Sequence, residues 1–71
     1  MINARELLGN AHYQFITGIE GVSISEFGLE SQDETHIYIT SYISVKSVSK
    51  SITSTFNPHT SKITHKVVKR G

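Results

Sequence analysis

The sequence predicts an α+β domain: one short N-terminal helix packed on an antiparallel sheet of three or four strands, ending in a β-hairpin. Three observations carry this expectation. Asn3 followed by Ala4–Leu8 reads as a capped helix start. From His36 to Lys46, β-branched and aromatic residues alternate with polar ones at the period of a half-buried strand. Asn57-Pro58-His59-Thr60-Ser61-Lys62 then supplies turn residues between two further alternating runs.

Taken in order, the helix is expected over roughly residues 3–9, because Gly9 and Asn10 weaken its continuation. Leu7, Ala11 and Phe15 would form one apolar stripe if it ran on. A strand starting near His12 explains the same residues, so 10–17 stays open. Gly18 and Gly21 bracket a turn, and Val22 and Ile24 alternate with serines in a strand over about 21–27. The polar, acidic residues 28–35 read as a loop.

In the clearest strand, Ile37, Ile39, Ile43 and Val45 share one face, and Tyr38, Thr40, Tyr42, Ser44 and Lys46 the other. The apolar phase then moves to Val48, Ile52 and Phe56, so a turn between Ser47 and Ser51 must absorb a one-residue shift. This gives strands of about 36–46 and 51–56. Ile63, His65 and Val67 continue the hairpin, and Lys69-Arg70-Gly71 is expected to fray. About half of residues 40–64 are Ser or Thr, which suits the solvent face of a sheet. The expected core is Leu7, Leu8, Phe15, Ile24, Ile37, Ile39, Ile43, Val45, Ile52, Ile63 and Val67, within a single small domain over 1–71.

Charge is the most informative functional feature. Every acid lies at or before Glu34, and every base except Arg5 lies after Val45, although the net charge is only +1. Glu26, Glu30, Asp33 and Glu34 form an acidic loop candidate. Lys46, Lys50, Lys62, Lys66, Lys69 and Arg70 form a basic surface candidate, suited to phosphate oxygens or an acidic protein. A solvated lysine face that offsets the acids across the sheet is the plainer reading. The isoelectric point near 8.1 is below the value above about 9 usual for strongly basic nucleic-acid binders. Tyr38 and Tyr42 form an aromatic candidate that could stack bases, anchor a partner, or be covered by another element.

Other motifs are weaker. Gly18-Ile19-Glu20-Gly21 matches a backbone-clamping G-x-x-G loop, but Glu20 would repel phosphate and an ordinary turn suffices. His59 and His65 could meet across the last hairpin, yet two imidazoles make a poor zinc site, so no metal or cofactor is expected. No phosphate loop, nucleophile elbow or H-E-x-x-H is present, and no enzyme or small-molecule substrate is expected. Without cysteine the chain has no disulfide to stabilise it, which leaves self-association, so homodimer and monomer stand as equal expectations. No long apolar run or leader pattern is seen, so a cytoplasmic protein that does not enter the membrane is expected.

Phe15-Ile16-Thr17-Gly18-Ile19-Glu20-Gly21 with Ser25-Glu26-Phe27-Gly28-Leu29-Glu30 loosely resembles the opening strands of contractile-phage tail-tube proteins. The resemblance implies that Phe15–Gly21 is a strand. The turn motif is one residue shorter than that pattern, and the chain is too short for a closed tube barrel, so no family is assigned. The reading is therefore a non-catalytic module acting through protein–protein contacts, as inhibitor, adaptor or self-assembling subunit of phage or mobile-element type. The alternative is nucleic-acid backbone binding by the basic hairpin.

Overall fold

A computed structural model of the chain describes residues 3–70. Helix α1 (Ala4–Thr17) is followed by strands β1 (Val22–Gln32), β2 (Ile37–Val45), β3 (Val48–Asn57) and β4 (Lys62–Lys69). The strands form one antiparallel sheet in the order β1-β2-β3-β4, so each pairs only with its chain neighbours. The helix covers one face and leaves the other open. The expected α+β architecture is present.

Asn3 caps α1 as expected: its side-chain oxygen accepts from the Arg5 backbone N–H at 2.9 Å. The helix does not stop at Gly9, because packing outweighs the weak propensity of Gly9 and Asn10. Residues 10–17 are therefore helical, which removes both the rival strand and the strand implied for Phe15–Gly21 by the tail-tube resemblance. The buried stripe is Leu8, His12 and Ile16, one position round from the expected Leu7, Ala11 and Phe15, and Leu7 is 39% exposed.

Two apolar clusters fill the space under the helix. Leu8 meets Ile39 and Phe56, with Ala4, Ile37 and Ile63 around them. Ile16 meets Ile43 and Ile52, flanked by Phe15, Ile19, Val22 and Val45. Full burial of each such side chain contributes roughly 1.5–3 kcal/mol. Ile24 and Val67, expected in the core, lie on the outer strands beyond the helix and are 44% and 45% exposed.

The strand boundaries also move. β1 runs to Gln32, so residues 28–32 are strand and the connection is only 33–36. Two irregularities, between Ile24 and Glu26 and between Glu26 and Leu29, shift its register against β2. Gly28 has φ +79 and its N–H donates to Ser41 Oγ at 3.1 Å, an arrangement a side-chain-bearing residue would adopt at a cost. The phase change after Val45 is absorbed by a two-residue turn, Lys46-Ser47, earlier than expected, and β3 begins at Val48. Both turn residues have positive φ, 51 and 66, the pattern of a primed hairpin turn that Asn-Gly usually occupies. In the last hairpin, Asn57 Oδ1 accepts from the His59 N–H at 2.9 Å, as its sequence suggested. Lys69 belongs to β4 and the Arg70 N–H donates to the Ser49 carbonyl at 2.8 Å, so these two are held; Gly71 lies outside the described residues. No described helix is long and apolar enough to cross a membrane.

Candidate functional site

Between the two apolar clusters lies a polar layer. His12, fully buried, reaches Ser54 Oγ through Nδ1 and Ser41 Oγ through Nε2, both at 2.7 Å. Ser54 Oγ also lies 2.6 Å from His65 Nδ1, while Ser41 Oγ accepts from Gly28. One proton arrangement lets each hydroxyl donate once and accept once. Ser41 donates to His12 Nε2, His12 Nδ1–H donates to Ser54, and Ser54 donates to His65 Nδ1. The opposite direction leaves the Ser41 hydroxyl proton without a partner.

Burial lowers the His12 pKa, and the neighbouring His65 lowers it further; burial also lowers that of His65. Phe15 stacks on His65 at 4.4 Å and Phe27 lies 5.5 Å from His12. Serine and histidine at hydrogen-bonding distance are the residue types of nucleophilic catalysis. Here both hydroxyls and the imidazole have no exposed surface, so no substrate atom can reach them. The layer specifies how helix and sheet meet.

The open face of the sheet is a different environment. Strand register sets its rows. Ser31, Tyr38, Thr55 and Thr64 form one, and Leu29, Thr40, Thr53 and Lys66 the next. Glu26, Tyr42, Ser51 and Val68 form a third. Thr40 and Thr53 hydroxyls lie 3.1 Å apart. Leu29 and Val68 are 42% and 44% exposed. Tyr38 and Tyr42 are both half-buried on this face, four residues apart on β2.

Both tyrosines already have polar partners. The Tyr38 hydroxyl donates to Asp33 Oδ2 at 2.6 Å, and the Arg70 guanidinium lies 4.4 Å over the Tyr42 ring. Asp33 Oδ1 accepts from Thr35 N–H, Thr35 Oγ1 and His36 N–H at 2.8, 3.0 and 2.7 Å. Tyr38 and these backbone donors hold the Asp33 carboxyl well below the usual carboxylate range, and Asp33 in turn raises the Tyr38 phenol pKa. Asp33 thus builds the β1–β2 turn.

The candidate charges divide by face. Lys62, Lys66 and Arg70 lie on the open face beside the tyrosines. Lys50 and Lys69 stand opposite each other on the helix side of β3 and β4 and line a cleft with Lys46. Glu26 lies on the open face, Glu30 on the helix side near Arg5, and Glu34 in the turn. Because β1 and β4 are the two outer strands, Glu26 and Glu30 stand at the opposite edge from Lys62, Lys66 and Lys69, whereas Lys50 is on the inner strand β3 and Lys46 in the β2–β3 turn. The one ion pair among the described residues joins Arg5 and Glu30 at 4.0 Å, and there no lysine lies within that distance of a carboxylate.

His12, Ser41 and Ser54 carried no sequence signal beyond residue type, and Phe27 with Tyr13 was also unanticipated. These two rings meet edge-on at 5.9 Å on the helix side of β1, both largely exposed. No set of three potential metal ligands gathers among the described residues. Gly18-Ile19-Glu20-Gly21 joins a helix to a strand, with Gly18 capping α1 and Gly21 at φ +73. Comparison with known proteins finds no matching family model, no matching curated protein and no matching solved structure.

Proposed function

We propose that this chain is a non-catalytic binding module that meets a protein partner through the open face of its sheet. The observation supporting this is the charge on that face. Glu26 stands at the β1 edge, Lys62, Lys66 and Arg70 at the β4 edge, and Tyr38 and Tyr42 between them. Such a face is complementary to a partner of reversed polarity, and oriented charge speeds and orients docking.

A second copy meets that requirement. Rotation by half a turn about an axis along the strands lays β1 of one copy over β4 of the other. Glu26 then faces the stretch between Lys66 and Arg70 of its mate. A face four strands wide and about nine residues long covers roughly 600 Å² per copy, or roughly 1,200 Å² in total, the low end for a specific interface. The association is therefore weak and salt-sensitive. Sedimentation across a concentration series at two salt levels tests it. A dimer weakened by Lys66→Glu and restored by adding Glu26→Lys is expected. A strict monomer leaves only a heterologous partner, sought by pull-down with wild type and the Lys66→Glu variant.

The two tyrosines beside Lys62, Lys66 and Arg70 also favour a second reading, in which the face binds single-stranded nucleic acid by stacking and backbone contacts. Glu26 and Asp33 flank the same tyrosines and oppose it. Titration with short DNA and RNA at low and moderate salt separates the two readings: absence of binding at low salt removes the nucleic-acid one.

A further inference from the structure

At the Lys46-Ser47 end of the sheet, a cleft of about 690 Å³ is lined by Glu20, Gly21, Val45, Lys46, Val48, Lys50 and Lys69. Three of its residues are cationic and one is anionic. Lys50 and Lys69 are directly opposite across β3 and β4, an arrangement in which like charges destabilise the pair. Lys46 joins them from a turn position with φ 51, a conformation that a lysine holds at a cost. No carboxylate is paired with any of the three among the described residues. Val45 and Val48 give the cleft an apolar wall between the ammonium groups. Glu20 sets one carboxylate against three ammonium groups, so the repulsion is offset only in part; an anion placed among the ammonium groups relieves the rest, and lysine meets phosphate as a point charge.

We propose that this cleft binds a phosphomonoester, with the phosphate among Lys46, Lys50 and Lys69 and an apolar alcohol portion against Val45 and Val48. The site lies on the helix side of the sheet and is independent of the open face. Thermal unfolding of the full chain in inorganic phosphate, phenyl phosphate and chloride at matched ionic strength tests the proposal. Phosphate raises the melting temperature above the chloride value, and phenyl phosphate raises it further. Lys69→Gln melts higher than wild type without phosphate, because a repulsion is gone, and binds phenyl phosphate about tenfold more weakly. His59→Gln, in the β3–β4 turn at the other end of the sheet, keeps the full response. Backbone amide shifts on titration with phenyl phosphate concentrate at residues 45–50 and 69. The proposal is overturned if phosphate and chloride act alike, or if the response survives in a Lys50→Gln/Lys69→Gln variant. Equal responses to phosphate and phenyl phosphate overturn the apolar part of it.

Discussion

His12 Nδ1 lies 2.7 Å from Ser54 Oγ in the centre of the fold, across the helix–sheet boundary and with neither side chain exposed. The pair fixes the helix in both translation and rotation, because His12, the one polar group of the buried stripe, must meet Ser41 and Ser54, the two buried hydroxyls among the described residues. An apolar stripe alone would tolerate sliding by a turn.

Truncating one member of this layer strands the others. His12→Leu leaves the Ser41 and Ser54 hydroxyls without their imidazole partner, and a loss of about 2–4 kcal/mol in urea-induced unfolding is expected. Replacing the set together, as His12→Leu/Ser41→Ala/Ser54→Ala, removes the stranded hydroxyls but takes the partners of the Gly28 N–H and His65 Nδ1, both only part-buried, and so recovers part of that loss. If the triple variant is less stable than the single one, the layer contributes more than satisfied hydrogen bonds.

The same layer makes stability fall in weak acid. Burial lowers the pKa of His12 and of His65 from the ordinary imidazole value of 6.5, so the unfolded chain binds protons first. Stability is full above that value and declines as pH drops below it toward the folded values. Urea midpoints measured across this range show the slope, and the triple variant flattens it by removing the His12 contribution.

Asp33 predicts a spectroscopic change. Its carboxylate accepts the Tyr38 hydroxyl proton and raises the phenol pKa. In Asp33→Ala, ultraviolet titration finds one tyrosine ionising at lower pH than in wild type. An unchanged titration curve would break the link between this turn and the open face.

Gly9 is an opportunity for stabilisation. A Cβ there would meet Ile39 Cδ1 at 3.8 Å, an ordinary contact, and the residue sits inside α1. Gly9→Ala is therefore expected to stabilise the protein by about 0.5–1 kcal/mol through helix propensity. Chemical denaturation reads this directly, and a loss of stability would show that the helix lies closer to β2 than this spacing allows.

Much of the fold was legible from periodicity. The two faces of β2 and the Asn57-Pro58 turn follow directly from residue type, and so does the Asn3 cap. The length of α1 was not legible, because Gly9 and Asn10 argue locally for a break that only the sheet overrides. The buried stripe was misassigned because His12 counts as polar until Ser41 and Ser54 are seen beneath it. The reach of β1 was hidden by its polar composition, since an outer strand with one bare face needs few apolar residues. For the candidate residues, sequence showed that acids and bases are segregated. It could not show that a meander sends the acids of β1 and the bases of β4 to opposite edges, or that strand alternation divides the lysines between two faces.

The outer strands have one more consequence, for solubility. β1 and β4 run antiparallel and carry opposite charge, so a β4 edge offered to the β1 edge of another molecule could add strands in a head-to-tail series that never closes. The two bulges of β1 interrupt that edge where a new strand would have to register, as irregular edges do in natural sheets. Straightening β1, for instance by deleting one bulged residue, would turn the four-stranded unit into a seed for fibres.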